Sequence, residues 1–191
     1  MRIVILAGSI RKNRKSIQVC RYLEKQLSGR GVEIDLVDPL DDPLPIFDDF
    51  ADENPVVHKA VQKMENRLGI ADAMVFVTPE YNGSFSGVLK NTLDYFWNEF
   101  SGKPIGVAAV SAGKMGGINA SVQLQHVVLS LGAYPLPVKL LVRRVDHVFD
   151  DNLNPVDEEF VRNADKFIDQ FLWFANAVST AKKPKKYENV S

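Results

Sequence analysis

Short runs of apolar residues alternate along the chain with segments in which apolar residues recur at the spacing of a helix. Five of the runs predict strands, at residues 2–7, 32–37, 74–77, 105–110 and 136–142. Residues 2–7, 74–77 and 105–110 are apolar almost throughout, which is typical of strands buried on both faces of a parallel sheet. Residues 32–37 instead alternate apolar and polar side chains, which indicates a strand with one more exposed face, nearer the edge of the sheet.

The segments with helical spacing follow these strands in turn. They predict helices at residues 15–28, 56–69, 86–100, 122–131 and 157–178. Strands that alternate with helices predict a parallel sheet with right-handed crossovers and helices on both faces. The pattern contains no repeat and no internal linker, but it does not choose between the possible strand orders.

The chain is expected to form one domain over residues 1–178, followed by a polar, lysine-rich and mobile tail over residues 179–191. Residues 39–55 form a long irregular segment with four prolines and several aspartates. Apolar residues embedded in this segment predict packing against the domain rather than disorder, and they are Leu44, Ile46, Phe47 and Phe50.

Composition and charge narrow the classes of function. Hydrophobic residues make up 46% of the chain and the formal net charge is −1, so charge favours neither nucleic acid, nor a membrane surface, nor acidic substrates. The single cysteine, Cys20, excludes an internal disulfide framework and a multi-cysteine metal site. No apolar run has the length of a signal peptide core or a membrane span, and we expect a cytoplasmic protein.

The loop after the third predicted strand is the strongest candidate for a binding site. Pro79 cannot donate a ladder hydrogen bond, so the strand is expected to end before it, and Glu-Tyr-Asn-Gly follows at residues 80–83. In an open α/β sheet, ligands bind in the crevice outside the carboxyl ends of the strands. This loop offers backbone N–H groups, an amide and an aromatic ring to a flat ligand with polar edges. Because Asn-Gly is also a strong turn signal, the loop alone leaves a plain turn as an alternative.

Residues 8–16, Gly-Ser-Ile-Arg-Lys-Asn-Arg-Lys-Ser, connect the first strand to a helix. Hydroxyls, an amide and cations at a helix N-terminus favour an anion, and a phosphate fits this set. A Walker A loop would need Gly-Lys-Ser/Thr, but the sixth and seventh positions counted from Gly8 are Asn13 and Arg14. A dinucleotide fingerprint would need three glycines, and Gly8 is alone. The loop therefore favours a mononucleotide, with a solvated basic turn as the alternative.

A second glycine-rich loop, residues 111–117, follows the fourth predicted strand. All three loops leave strand ends on the same side of the sheet. The first offers phosphate chemistry, and the other two offer backbone donors and close approach to a planar ring. A ligand with a phosphate at one end and a polar-edged ring at the other matches this layout, and FMN is such a ligand.

The three loops together resemble the NADPH-dependent FMN reductase family. The matching residues are Gly8-Ser9-x-Arg11 followed by Ser16, Pro79-Glu80-Tyr81-Asn82-Gly83-Ser84 followed by Leu89-Lys90-Asn91, and Ser111-Ala112-Gly113 with Gly116-Gly117. The resemblance covers roughly residues 1–145, and Pro-Glu-Tyr-Asn is its most specific part. It implies a flavodoxin-like three-layer sandwich with a five-stranded parallel sheet in the order 2-1-3-4-5.

The resemblance also implies an FMN site in three parts. The phosphate would be held by Ser9, Arg11 and Ser16. The first loop is a residue or two longer than in many relatives, so Asn13 is an alternative to Ser16. Ile17, the residue after Ser16, would also belong to the site. The isoalloxazine ring would lie against Pro79, Glu80, Tyr81, Asn82, Gly83 and Ser84 on one side, and Ser111, Gly113, Gly116 and Gly117 on the other.

The family includes quinone, azo-dye and chromate reductases. The resemblance therefore implies an FMN-dependent oxidoreductase that takes hydride from NADPH or NADH and reduces a small acceptor: a flavin, quinone, azo compound or metal oxyanion. The flavin carries the redox chemistry, so we expect no catalytic side chain and no metal ion. The alternatives are a flavodoxin-type electron carrier, which Arg11 and the near-neutral charge oppose, and a nucleotide-binding or regulatory protein without flavin.

Other residues have simpler interpretations. His58, His126 and His147 have no spacing suited to a metal, and Cys20 is expected to fill the core. Asp38 stands where a ribose-binding acid would, without the glycine fingerprint that such a site needs. Arg143-Arg144 could attract a 2′-phosphate or could be a solvated strand end. The family habit implies a homodimer or homotetramer with the flavin near the interface, where Phe96, Trp97 and Phe100 would meet the partner chain or fill an ordinary core.

Overall fold

The computed structural model describes residues 1–48 and 54–182. The strands are β1 (Arg2–Ala7), β2 (Glu33–Val37), β3 (Ala73–Tyr81), β4 (Ser84–Phe85), β5 (Pro104–Val110) and β6 (Tyr134–Val142). The helices are α1 (Ser16–Ser28), α2 (Pro55–Gly69), α3 (Gly87–Tyr95), α4 (Ile118–Ser130) and α5 (Glu158–Lys182). Phe50 and residues 183–191 of the predicted tail lie outside the described residues.

Five of the strands form a parallel sheet in the order β2-β1-β3-β5-β6. Counted among the parallel strands alone, this is 2-1-3-4-5, so the predicted strand order is confirmed. The additional strand, β4, is two residues long and pairs antiparallel with the end of β3, which the sequence pattern did not predict.

Strand β3 continues past Pro79, so the prediction that it ends before this proline is wrong. Alternate residues of a strand direct their hydrogen-bonding groups to the same side. Val77 faces β1, because its carbonyl oxygen accepts a hydrogen bond from the Gly8 amide at 2.8 Å. Pro79 faces the same side, beyond Ala7, the last residue of β1, where no ladder donor is required. On its other side, β3 remains in register with β5, with Pro79 opposite Val110.

The sheet separates two apolar cores. Helices α1 and α5 cover one face, and helices α2, α3 and α4 cover the other. Along β1, Ile3 and Ile5 enter the core beneath α1 and α5, whereas Val4 and Leu6 enter the opposite core. Burial on both faces explains why the central strands carry apolar residues without alternation.

Three helix boundaries differ from the predicted ones by more than one residue. Helix α3 ends at Tyr95 rather than near residue 100, because Phe96 has extended backbone angles of φ −129° and ψ 139°. Helix α4 begins at Ile118 rather than residue 122, directly after Gly117. Helix α5 reaches Lys182 and so includes residues 179–182, which were expected in the tail.

The described part of the irregular segment packs against α3. Asn91 donates its side-chain amide to the Pro45 carbonyl oxygen at 2.7 Å and accepts from the Phe47 amide at 2.8 Å. The Phe47 ring lies edge-on to the Tyr95 ring, with centroids 5.1 Å apart. Packing was predicted for four apolar residues of this segment; Leu44 packs against the core, but Ile46 is 81% exposed. None of the helices in the described ranges is long and apolar enough to cross a membrane.

Candidate functional site

An open cavity of about 540 Å³ lies at the carboxyl edge of the parallel sheet, where β1, β3, β5 and β6 end. Cations, hydroxyls, carboxylates and one aromatic ring share its lining, which consists of Ser9, Arg11, Asn13, Arg14, Lys15, Ser16, Pro79, Glu80, Tyr81, Val110, Ser111, Ala112, Val145 and Asp146. The structure thus brings residues of the three loops that the sequence singled out to one cavity, together with a fourth loop after β6.

The first loop leaves β1 through a close contact with β3. A Cβ atom added to Gly8 would lie 2.9 Å from the Val77 carbonyl oxygen, so a larger residue would push the two strands apart. Ser9 follows and is buried, and its hydroxyl lies 3.2 Å from the Tyr81 hydroxyl. This contact joins the first loop to the end of β3.

The beginning of α1 leaves helix amides available to a ligand. Its N-cap residue, Lys15, makes no side-chain capping hydrogen bond, and no acidic residue lies in the first turn. Ser16, the first helical residue, is buried, whereas Asn13 is exposed within the same cavity. Free helix amides and the positive end of the helix dipole favour an anion at this position.

Two cations of the first loop have different surroundings. Arg14 forms an ion pair with Asp38, and both side chains are nearly buried. It also donates to the Ser9 carbonyl oxygen at 3.2 Å, so it links β2 to the loop. Arg11 is exposed, and its guanidinium carbon lies 5.8 Å from the centre of the Tyr81 ring. Among the residues that the structure describes, Arg11 has no carboxylate partner, so its charge is available to a ligand.

The Glu80 carboxylate connects two loops. It accepts a hydrogen bond from the Ala120 amide in the first turn of α4, at 3.1 Å. A carboxylate at a helix N-terminus satisfies a free amide and interacts favourably with the helix dipole. Glu80 lines the cavity, but its side chain is already engaged in holding β3 to α4.

Asn82 and Gly83 form a tight hairpin between β3 and β4. Both have positive φ angles, 51° and 77°, as a two-residue type I′ turn requires. Gln123 of α4 donates to the Gly83 carbonyl oxygen at 2.8 Å and accepts from the Ser84 hydroxyl at 2.7 Å. None of the three predicted residues Asn82, Gly83 and Ser84 lines the cavity. Asn82 and Gly83 therefore adopt the plain turn that the sequence left open as an alternative.

The loop after β5 contributes Ser111 and Ala112 to the cavity wall. The Ser111 hydroxyl accepts a hydrogen bond from the Gly113 amide at 3.0 Å, which closes a small turn. Gly116 and Gly117 are buried and have φ angles of 65° and 79°. They, like Gly113, lie outside the lining of the cavity.

Ile17 also lies apart from the cavity. It is partly buried on α1 and packs against the core that α1 and α5 share. Its position beside Ser16 in the sequence places it one helical step away, on the side that faces the sheet.

Six residues that line the cavity were not assigned to the site from the sequence. They are Arg14 and Lys15 on the first loop, Val110 at the end of β5, Ala112 in the loop after it, and Val145 and Asp146 after β6. The rule that ligands bind at the carboxyl ends of strands would have indicated the loop after β6 as well. The Arg14–Asp38 pair joins residues 24 positions apart, and neither spacing nor residue type signals such a pair.

Cys20 is fully buried, and burial raises the pKa of its thiol far above the ordinary value. It packs with the core beneath α1 and α5. A buried thiol of this kind is neither a nucleophile nor a metal ligand at neutral pH.

Comparisons with known proteins agree with the resemblance noted in the sequence. A family model described as NADPH-dependent FMN reductase matches residues 1–146. An FMN-dependent NADPH-azoreductase from Staphylococcus aureus is 31% identical over 187 residues, which cover 92% of this chain and 96% of that protein.

Solved structures share the fold. FerB, a flavoenzyme NAD(P)H:(acceptor) oxidoreductase from Paracoccus denitrificans, superposes with a TM-score of 0.80 at 25% identity, over 92% of this chain and 97% of the other. The apo form of an NADH:FMN oxidoreductase, EMOB, superposes with a TM-score of 0.73 at 19% identity, over 91% and 89% of the two chains, and shows the fold alone.

Proposed function

This chain belongs to the NADPH-dependent FMN reductase family, and from that premise we propose which of its residues bind FMN and which acceptors it reduces. It is an FMN-dependent NAD(P)H oxidoreductase that passes reducing equivalents to a small acceptor. When bound, FMN supplies the ability to take up and pass on a hydride. The protein supplies binding, orientation and electrostatics.

The single observation that carries the site assignment is the cavity in which the cationic first loop meets the ends of β3 and β5. Ser9, Arg11 and Ser16, with the free amides of α1, would bind the phosphate of FMN. Their hydroxyls, positive charge and helix N-terminus fit a phosphate, and Arg11 has no competing carboxylate in the described ranges. Asn13 lines the same part of the cavity and remains the alternative to Ser16.

The flavin ring would lie between the end of β3 and the loop after β5. Pro79 and Tyr81 form one wall, and Ser111 and Ala112 form the other. Backbone amides at these strand ends are held in place by the sheet, so they can stabilise negative charge at the polar edge of the ring without reorganisation. Asn82, Gly83, Ser84, Gly113, Gly116 and Gly117 would act by shaping these two walls.

No side chain of the site is assigned as a catalytic acid or base. The Glu80 carboxylate accepts from the Ala120 amide, and the Tyr81 hydroxyl lies at hydrogen-bonding distance from Ser9. Both groups are engaged in linking loops, which supports a positioning role. Family membership likewise favours a reductase over a flavodoxin-type carrier.

For the second substrate we propose a quinone, an azo compound, a free flavin or a metal oxyanion. The openness of the cavity towards solvent at the strand ends supports a small acceptor that enters the same slot after the nicotinamide has left it.

A homodimer or homotetramer is part of the proposal. Trp97, after α3, is 62% exposed, and Val122 and Leu129, seven residues apart on one face of α4, are also more than half exposed. A cytoplasmic location is proposed because the only cysteine is unpaired and buried.

A visible absorption spectrum tests the proposal directly. The purified protein is loaded with FMN, freed of excess flavin and then mixed anaerobically with NADPH or NADH. We expect retained flavin that bleaches within the mixing time and regains its colour when a quinone or azo dye is added. Retained flavin that stays oxidised would indicate an electron carrier, and failure to retain flavin would contradict the assignment of the site.

A further inference from the structure

A second cavity, of about 270 Å³, lies at the same edge of the sheet and is rich in cations. Its lining consists of Lys114, Arg143, Arg144, Asp157 and Glu159. Lys114 is three residues beyond Ser111 of the larger cavity, and Arg144 directly precedes Val145 of the larger cavity. Three residues of extended chain span at most about 11 Å, so the two cavities are neighbours.

Backbone hydrogen bonds hold the two loops of this second cavity together. The Ser111 amide donates to the Val142 carbonyl oxygen at 3.0 Å, and the Val145 amide donates to the Ser111 carbonyl oxygen at 3.1 Å. The Arg144 amide donates to the Gly113 carbonyl oxygen at 3.1 Å. A ligand that reaches across both loops therefore meets a prearranged surface.

Arg144 has an unusual backbone conformation for an arginine. Its φ and ψ angles are 43° and 48°, in the left-handed region that glycine and asparagine adopt at less cost. Residues held in such conformations cluster at binding and catalytic sites. Glycine or asparagine would form this turn at less cost, so the presence of an arginine indicates a role for its side chain.

The acidic residues of this cavity are already engaged. Glu159 forms an ion pair with Arg143 at 3.3 Å. Asp157 accepts a hydrogen bond from the Phe160 amide at 3.0 Å and so caps α5. Within residues 1–48 and 54–182, Lys114 and Arg144 are exposed and form no ion pair. The lining thus carries three cations and two carboxylates, a net charge of +1, and Lys114 and Arg144 are the cations free to contact an anion beside the proposed flavin site.

We propose that Lys114 and Arg144 bind the 2′-phosphate of NADPH and make this enzyme prefer NADPH to NADH. The two nucleotides differ only in that phosphate, so discrimination requires cations that reach it and are not neutralised by the protein. The proposal rests on the proposed function, because it assumes that the nicotinamide lies in the larger cavity. Along the sheet edge, the proposed FMN phosphate site lies at β1 and the two cations lie at the β5–β6 side. The two anionic groups would therefore be held at opposite ends of the site.

The test uses 2′,5′-ADP and 5′-AMP, which carry the same adenosine 5′-phosphate with and without the 2′-phosphate. Their binding to the FMN-loaded protein is measured by calorimetry, for wild type, Lys114→Gln and Arg144→Asn. Asparagine suits the left-handed backbone, so Arg144→Asn removes the charge while the turn is kept. The control, Lys25→Gln, removes an exposed cation from the last turn of α1, which lies towards the opposite edge of the sheet.

We expect wild type to bind 2′,5′-ADP at least about tenfold more tightly than 5′-AMP, and each site variant to lose about tenfold in affinity for 2′,5′-ADP, as for a charged hydrogen bond. The ratio of kcat/KM for NADPH to that for NADH should fall by a similar factor. Lys25→Gln should change neither quantity. Arg144→Gly, which relieves the backbone strain, should match Arg144→Asn if the side chain is what matters.

Equal affinity of wild type for 2′,5′-ADP and 5′-AMP would overturn the proposal, as would a parallel loss of affinity for both in the variants. Competition by inorganic phosphate at the concentration of 2′,5′-ADP would show a general anion site and would also overturn it. Failure of the proposed function has a different signature, since wild type would then retain no FMN or would not be reduced by either nucleotide. The calorimetric comparison needs no turnover, so the two outcomes are distinguishable.

Discussion

The Glu80 carboxylate accepts a hydrogen bond from the Ala120 amide at 3.1 Å, and this contact holds the end of β3 to the first turn of α4. The loop that carries the opposite wall of the cavity leads directly into α4, so we expect the contact to influence the width of the slot between the two walls. Glu80→Ala would leave the helix amide without its acceptor. We expect a loss of about 1 kcal/mol in the free energy of unfolding, as for other helix N-terminal contacts, together with weaker FMN binding.

Urea unfolding and fluorescence titration of FMN measure the two effects. Glu80→Gln keeps an acceptor oxygen but loses the charge, so it should fall between wild type and Glu80→Ala in both. If Glu80→Ala keeps full FMN affinity while losing stability, the contact supports α4 without setting the slot.

Arg11 is an exposed cation of the proposed phosphate site. Arg11→Ala should raise the dissociation constant of FMN by about tenfold to a hundredfold, the effect of removing a hydrogen bond between charged groups. Riboflavin, which lacks the phosphate, should bind with equal affinity to wild type and to Arg11→Ala. Lys12→Ala is the matched control, because Lys12 is also exposed but lies outside the cavity lining. Unchanged FMN affinity in Arg11→Ala would refute the role in phosphate binding.

The central position of β1, β3 and β5 could be predicted from the sequence because these strands are buried on both faces, whereas the strand order itself followed only from the family resemblance. Their runs lack alternation, and that pattern belongs to the middle of a parallel sheet. The end of β3 could not be predicted from Pro79, because a proline is tolerated wherever its neighbour strand has already ended. That condition depends on the register between β1 and β3, which pairs Ala7 with Val77 and which no local pattern encodes.

The site was predictable at the level of loops and less so at the level of side chains. Ser9, Arg11 and Tyr81 do line one cavity, since strand ends of a parallel sheet meet at one edge. The role of Arg14 was not predicted, because its partner, Asp38, directly follows another strand, β2. Glu80 was assigned to the ring edge, whereas its bond to Ala120 depends on the packing of α4 against β3.

Asp35 on β2 should make stability depend on pH. Hydrogen bonds from Arg67 foremost, and from Arg2, lower the pKa of Asp35 in the folded protein, although partial burial opposes the shift. A carboxyl group with a lowered folded pKa stabilises the protein above its unfolded pKa of about 4, and that contribution is lost as the pH falls through the folded value. Asp35→Asn should therefore be less stable than wild type at pH 7, by on the order of 1 kcal/mol, and the difference should shrink towards pH 3.

Urea unfolding at several values between pH 7 and pH 3 checks this expectation. Glu33→Gln is the control, because Glu33 also pairs with Arg2 but its side chain is 66% exposed. It should change stability little at any pH. A constant difference between Asp35→Asn and wild type across the range would show that the contribution of Asp35 does not come from its charge.

Gly117 lets the loop after β5 return closely over its own strand. Its φ angle is 79°, and an added Cβ atom would lie 2.8 Å from the Cβ atom of Ala109. Gly117→Ala therefore combines a strained backbone with a clash in β5, and we expect a loss of about 2 kcal/mol or more in unfolding free energy. Gly69→Ala is the matched control, because Gly69 ends α2 and nothing lies within 4 Å of the added atom; alanine there should stabilise the helix by up to about 0.5–1 kcal/mol. Since β5 carries one wall of the cavity, Gly117→Ala should also weaken FMN binding. FMN affinity is measured by fluorescence titration at temperatures where circular dichroism shows that the variant is folded. Full FMN affinity in a folded but destabilised Gly117→Ala would mean that this wall tolerates displacement, and the proposed role of the loop in shaping the ring site would be wrong.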